Sequence, residues 1–374
     1  MKKKIAILGA SYLQLPLVIK AKDLGLYVIN IAWDDGKAIC KEYVDEFYDV
    51  SVLDKEQILK ICKEHNIDGI TTIATDICIP TIAFVAESLN LLGNNSYECS
   101  LLTTNKAMMR DCFKQNEIAS PQSIVIRDIN NFNLSNLNFP LIVKPSDRSG
   151  SLGVVKVSNI EQSTKAIEEA LEYSFSKTCV VEEFIKGLEV SVETISWKGS
   201  NNIITITDKE VTDEPYFVEL AHHQPSALPL DIQDKIIDIS HKILKATKVE
   251  NGASHIELKI TSKGEVYPIE IGSRMGGDFI GSNLVELSTG FDFLKAVIDV
   301  ALNQYKPKEI ESSNNYSGVY FLSKNTEYLL PIFNNDNLPF IVKKHLLNTD
   351  LKEAQSSNDR SGYLIYQSNK KINL

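Results

Sequence analysis

The segment that most constrains this chain is residues 266–281, which read VYPIEIGSRMGGDFIG. Alternating and apolar residues predict a strand that carries Glu270 near its end, and a glycine-rich turn with Arg274 follows. A carboxylate and a guanidinium four residues apart suit a site where a metal-bound phosphate meets a developing anion.

A second carboxylate, Glu257, lies in the alternating segment 255–260, and Lys263-Gly264 predicts a hairpin turn that leads to the strand of Glu270. We therefore expect the two glutamates on neighbouring antiparallel strands, where they can share Mg²⁺ ions with the phosphates of a nucleotide. The alternative is a surface hairpin with ordinary acidic residues. The glycine-rich arginine turn beside both glutamates favours the metal site.

These residues together resemble the ATP-grasp ligases, most closely the branch that joins amino acids into dipeptides. The resemblance implies that Glu257 and Glu270 bind Mg²⁺, or Mn²⁺ in its place, and that Arg274 stabilises the tetrahedral intermediate. One position departs from the family pattern. Many members carry Asn two residues after the second carboxylate, where this chain has Gly272, so a metal ligand or water-holding group is either absent or supplied elsewhere.

Length and composition limit the remaining possibilities. A chain of 374 residues predicts two or three domains, and its hydrophobic and charged fractions of 43% and 24% are typical of a soluble globular protein. The net charge of −10 argues against nucleic acid as a partner. No apolar run is long enough to span a membrane, and six scattered cysteines indicate free thiols in a reducing cytoplasm. A homodimer is left open.

The first hundred residues alternate between strand and helix patterns, which predicts a doubly wound α/β domain. Its first turn, GASYLQ, lacks two glycines of the dinucleotide fingerprint, which argues against NAD. Thr75 and Asp76 follow a predicted strand, at the edge where open α/β sheets bind ligands, so we expect them near substrate. The alternative for Asp76 is a helix cap.

Two lysines are candidates for phosphate binding. Lys144 ends a buried strand, and the Ser- and Gly-rich loop 146–153 follows, including Ser149, Gly150 and Ser151. Small residues let backbone amides approach phosphate oxygens. A strand-end lysine followed by such a loop also resembles the phosphate-covering lid of ATP-grasp proteins, so we favour a lid over a plain hairpin loop. The assignment of Lys106 to phosphate comes from the resemblance, because a lysine at a helix start is otherwise usually solvated.

The resemblance also implies the remaining site residues. Glu182 would face the adenine, Glu183, Phe184 and Ile185 would bind its edge through their backbone, and Glu189 would bind the ribose hydroxyls. Glu219 and His222 match residues that line the amino-acid pocket of the dipeptide-forming branch. Asp278 lies one helical turn beyond Arg274 and either projects into the same pocket or pairs with Arg274 within a helix.

The predicted fold class is α/β, with α+β character in the ATP-grasp part. We divide the chain into an N-terminal α/β domain (1–102), a lid subdomain (103–187), a metal and catalytic subdomain (188–306) and a small β-rich C-terminal segment (307–374).

The predicted activity is ATP-dependent amide formation between a small-molecule carboxylate, expected to be an amino acid, and an amine, through an acylphosphate. A ligase for another carboxylate, a carrier or bicarbonate is the rival within the family. An NAD-dependent dehydrogenase and a nucleotide-binding protein without turnover are the rivals from other classes.

Overall fold

The computed structural model describes residues 2–214, 216–310, 315–335 and 337–374. Its N-terminal part contains, in chain order, β1 (Lys4–Leu8), α1 (Leu15–Asp23), β2 (Tyr27–Ala32), β3 (Glu46–Asp49), α2 (Lys55–His65), β4 (Gly69–Thr71), α3 (Ile79–Leu89) and α4 (Tyr97–Leu102). The four strands form a parallel sheet in the order β3-β2-β1-β4. The buried apolar runs of β1 and β2 are typical of parallel strands that are covered on both faces. The predicted α/β fold of this part is confirmed.

The next part is a small antiparallel sheet with its own core. It contains α5 (Lys106–Gln115), β5 (Ser123–Ile126), β6 (Leu141–Pro145), β7 (Val155–Val157), α6 (Ile160–Tyr173) and β8 (Cys179–Glu183). The strand order is β5-β8-β6-β7, and apolar residues of α6 pack on the sheet. Because β6 pairs antiparallel with β7, the loop 146–153 connects the two strands of a hairpin.

The largest sheet has eight strands in the order β13-β12-β9-β10-β11-β14-β16-β15. Its elements are β9 (Leu188–Trp197), β10 (Ser200–Val211), β11 (Glu219–Gln224), α7 (Leu230–Ala246), β12 (Gly252–Ile260), β13 (Val266–Gly272), α8 (Val285–Thr289), α9 (Phe293–Ala301), β14 (Tyr316–Leu322), α10 (Leu330–Phe333), β15 (Ile341–Leu346) and β16 (Gly362–Ser368). The predicted β-rich character of the C-terminal segment is confirmed, because β14, β15 and β16 extend the central sheet beyond β11. Helix α9 packs against α1, so the chain returns to the N-terminal core before it enters these strands.

The helical turn that was predicted between Arg274 and Asp278 does not form. Asp278 and Phe279 have positive φ angles of 50° and 66°, which a right-handed helix excludes. A π-helical segment, Ile280–Leu284, follows, and α8 begins only at residue 285. Asp278 is therefore not one helical turn beyond Arg274.

The cysteine prediction is confirmed, because all six thiols are free and buried. Among the described residues, no helix has both the length and the apolar character needed to cross a membrane.

Candidate active site

The two predicted metal-binding glutamates lie directly opposite each other. The two glutamates lie on neighbouring antiparallel strands, as predicted, and a register shift between Glu257 and Leu258 of β12 pairs Glu257 with Glu270 of β13. Each carboxylate contacts a lysine ammonium: Lys209 lies 3.0 Å from Glu257, and Lys106 lies 2.8 Å from Glu270. The Lys209 ammonium holds the pKa of Glu257 well below its ordinary value, so this carboxylate is ionised at neutral pH.

The chemistry of this pair fits Mg²⁺ only if a ligand completes the site. Across the described residues, no group of three or more His, Cys, Asp and Glu side chains is arranged to hold a metal ion. Mg²⁺, however, is commonly bound by one or two carboxylates together with substrate phosphates and water. Glu257 and Glu270 supply hard anionic oxygens of that kind on adjacent strands.

A cavity of about 230 Å³ lies over these strands, between the small sheet and the large one. Most of the predicted site residues line it: Asp76, Lys106, Lys144, Ser149, Gly150, Ser151, Glu182, Glu183, Phe184, Ile185, Glu189, Glu219, Glu257, Glu270 and Arg274. Thr75, His222 and Asp278 were predicted for the site but are not among its lining residues. Residues that are far apart in the sequence, from Asp76 to Arg274, thus meet in one cleft.

Both candidate phosphate lysines are buried. Lys106 begins α5, is 4% exposed, and donates to Glu270 and to the backbone oxygen of Arg148 in the 146–153 loop. The alternative of a solvated helix-start lysine is therefore wrong. Lys144 is 4% exposed, and its Nζ lies 2.5 Å from Glu182 Oε1.

Glu182 is held by two cations at once. In addition to Lys144, Arg110 of α5 donates from Nε to Glu182 Oε2 at 3.0 Å, and its Nη2 donates to the Ile269 carbonyl at 2.7 Å. Burial opposes ionisation, yet Arg110 and Lys144 hold the pKa of Glu182 below its ordinary value. The carboxylate lines the cavity as predicted, but its oxygens are already engaged by these cations.

Two of the three backbone N–H groups that were predicted to bind the adenine edge already make hydrogen bonds within the protein. The N–H of Glu183 donates to Gln122, and the N–H of Phe184 donates to Pro140, so both are used within the small sheet and its flanking segments. Ile185 is then the candidate backbone donor. Glu189 accepts from Lys259 at 2.8 Å, and the Lys259 ammonium lies 5.0 Å from the centre of the Phe184 ring.

Arg274 is paired with the N-terminal domain. Its Nε and Nη2 donate to the two oxygens of Asp76 at 2.8 and 2.9 Å. The helix-cap alternative for Asp76 is wrong, because the N-cap of α3 is Cys78 and makes no side-chain bond. The prediction that the edge after β4 reaches the site is correct for the position of Asp76.

Asp278 pairs with a residue from the C-terminal strands. Its Oδ2 accepts from Arg360 Nη1 at 2.8 Å, and Arg360 Nη2 also contacts Glu219 Oε2 at 3.1 Å. The predicted intrahelical pair with Arg274 is therefore wrong, since the backbone turns at Asp278. His222 Nε2 lies 3.6 Å from Asp278, and burial lowers the pKa of His222 although Asp278 opposes that shift.

Four charged residues of this region were not predicted: Arg110, Lys209, His255 and Arg360. His255 lies between Glu193 and Glu257. Two of the four had a signal in the sequence. Arg110 follows Lys106 by four residues and so shares its helix face, and His255 precedes Glu257 by two residues and so shares its strand face.

Residues 137–282 match the family model described as an ATP-grasp domain. The chain therefore carries an ATP-grasp domain, and this domain contains the hairpin, the loop and the hinge described above. Over the whole chain, the fold is similar to the L-amino acid ligase from Bacillus licheniformis, with a TM-score of 0.81, 21% identity, and coverage of 99% of this chain and 94% of that one.

Other relatives are similar at comparable levels. Phosphoribosylglycinamide synthetase from Anaerococcus prevotii has a TM-score of 0.76 at 23% identity, with coverage of 99% and 95%. Alanine–anticapsin ligase of Bacillus subtilis (strain 168) is 26% identical over 269 residues, which cover 66% of this chain and 56% of that protein. The chain thus matches little more than half the length of this curated relative.

Proposed function

We propose that this protein is an ADP-forming ligase that uses ATP to join a carboxylate, an amino acid in the first instance, to an amine. The observation that supports the proposal best is the convergence on one cleft of paired carboxylates, two buried lysines, a Ser- and Gly-rich loop and an arginine. Similarity to ligases for amino acids supports the same chemistry.

In this proposal the nucleotide base lies against the hinge at Ile185, and Glu189 receives the ribose hydroxyls. Lys106 and Lys144 contact the phosphates, and the 146–153 loop closes over them. Glu257 and Glu270 hold Mg²⁺, which offsets phosphate charge when bound. Lys106 and Lys209 pair with these carboxylates and so lie where they can also contact phosphate oxygens.

The chemistry then takes place in two steps. A carboxylate oxygen of the acid attacks the γ-phosphorus of ATP, and ADP leaves with the bridging oxygen. The amine attacks the carbonyl carbon of the resulting acylphosphate, phosphate leaves, and the amine loses a proton. Arg274 stabilises the oxyanion that forms as the amine adds.

A carboxylate without an α-ammonium group is a second candidate for the acid. One observation favours it: Glu219 and Asp278, the acidic residues expected at the amino-acid pocket, both already contact Arg360. An ammonium group would have to compete with that guanidinium for the same oxygens.

The test is ADP release from the purified chain, measured with ATP and either Mg²⁺ or Mn²⁺ against a panel of acids and amines. The panel pairs each amino acid with the matching acid that lacks the amino group. We expect release only when an acid and an amine are both present. Release that is independent of both, or ATP binding without release, would contradict the proposal.

A further inference from the structure

The contact between Asp76 and Arg274 joins two loops that are distant in sequence. One loop follows β4 in the N-terminal domain, and the other follows β13 in the ATP-grasp part. Their backbones also meet, since the N–H of Ala74 donates to the Met275 carbonyl at 3.0 Å. Both side chains of the ion pair are largely buried, with exposed fractions of 11% for Asp76 and 14% for Arg274.

This contact requires a glycine at position 272. A Cβ atom built on Gly272 would lie 2.4 Å from Asp76 Oδ1 and 3.1 Å from Arg274 Nε. Real Cβ atoms essentially never approach another atom so closely. The position that departs from the sequence pattern of many ATP-grasp ligases is therefore the position over which the Asp76 carboxylate lies.

The pair fixes which edge of the guanidinium is available. Asp76 uses Nε and one hydrogen of Nη2, so the edge formed by Nη1 and the other Nη2 hydrogen is left for a ligand. Nη1 has only a long contact, 3.5 Å, to the Met275 carbonyl. A planar guanidinium held at two donors loses most of its rotational freedom, so its remaining donors keep a fixed direction.

We propose that Asp76 is a positioning residue that orients the free edge of Arg274 toward the reacting carboxyl group, and that Gly272 admits it. This inference rests on the proposed ligase function. It extends that function by making the N-terminal domain a part of the oxyanion site. It gives a role to Asp76, which follows β4 and lines the same cleft as Glu270.

The first arm of the test detects the pair without activity. The Nε–H resonance of Arg274 is identified in ¹⁵N spectra through its loss in Arg274→Lys. We expect slow hydrogen exchange at this group in the parent protein and fast exchange in Asp76→Ala and Gly272→Ala. Gly277→Ala is the matched control, because its added Cβ would make only an ordinary contact, 3.5 Å from Ala74. The same exchange rate in all these proteins would overturn the inference.

The second arm is kinetic. We expect Asp76→Ala to lower kcat for ADP release by as much as about 100-fold, as misplacement of a catalytic group can do, with little change in KM for ATP. Asp76→Asn retains one acceptor oxygen and should lie between Asp76→Ala and the parent. The double variant Asp76→Ala with Gly272→Ala should lose less activity than the two single losses combined, because the methyl group then has no carboxylate to displace and keeps only its contacts with Arg274, the closest at 3.1 Å to Nε.

The outcomes separate the two proposals. A parent protein without acid-dependent ADP release would overturn the proposed function, and this inference with it. Normal release by the parent and by Asp76→Ala would overturn only the role of Asp76. Losses that simply add in the double variant would show that Gly272→Ala acts by another route, which also contradicts the inference.

Discussion

Replacing Glu182 by Gln should destabilise the protein severely although the side chain keeps its volume. Glu182 lies between Lys144 and Arg110, and all three side chains have exposed fractions of only 3% to 5%. The substitution removes the carboxylate that both cations contact. The next carboxylate in the cleft, Glu270, is already paired with Lys106.

The size of the effect follows from this geometry. Lys144 Nζ lies 2.5 Å from Oε1, and Arg110 Nη2 lies 2.9 Å from Oε2, so each oxygen has its own charged donor. Removing one partner from a buried ion pair typically costs about 3 to 5 kcal/mol, because the remaining charge is left buried without compensation. Since Gln is nearly isosteric with Glu, no cavity contributes. We therefore expect the free energy of unfolding to fall by about 3 to 5 kcal/mol.

Equilibrium unfolding in urea measures this loss, and Glu169→Gln is the matched control. Glu169 lies 3.9 Å from Lys165 on α6, with exposed fractions of 48% and 81%, so its loss should change stability by less than about 0.5 kcal/mol. In a double-mutant cycle with Lys144→Met, we expect a coupling of about 1 to 3 kcal/mol. A loss below about 1 kcal/mol for Glu182→Gln would refute the argument that these charges are desolvated and interdependent.

Four further predictions concern the site. Glu270→Gln should abolish acid-dependent ADP release without unfolding the protein, because it removes the charge of a proposed metal ligand; activity within a few-fold of the parent would contradict the metal assignment. Amide hydrogen exchange in the 146–153 loop should slow when ATP and Mg²⁺ are added, and an unchanged rate would remove the lid from the mechanism. Arg360→Gln should change the ranking of accepted acids more than KM for ATP, since Arg360 holds Glu219 and Asp278; lower activity with the same ranking would make it purely structural. His222→Gln should reduce the acid dependence of stability. Burial lowers the folded pKa of His222 below 6.5, so the unfolded chain binds a proton there first and stability falls as the pH drops below about 6.5. In urea unfolding, the slope of the free energy of unfolding against pH should be smaller in the variant, by at most about 1.4 kcal/mol per pH unit. Identical slopes in the parent and the variant would show that His222 is not buried in its neutral form.

The sequence by itself determined the hairpin that carries the two carboxylates. The alternating residues and the turn predict that Glu257 and Glu270 lie on neighbouring antiparallel strands. The face that they share depends on the register shift between Glu257 and Leu258, which the alternation does not encode. Buried apolar runs and small-residue loops likewise predicted the parallel sheet and the loop after Lys144. These signals are local, because each depends on residues within a few positions of one another.

Only the tertiary structure decided how the charges pair. Arg274 and Asp76 are 198 residues apart, and Arg360 and Asp278 are 82 apart. Such pairs follow from where the sheets meet, and no periodicity or spacing in the chain encodes that position. The turn at Asp278 shows the same limit: its helix-like sequence yields to a left-handed backbone, and the side chain meets Arg360. Burial and long-range pairing thus determine the electrostatics of the cleft, whereas its strands and loops can be predicted from local patterns in the sequence.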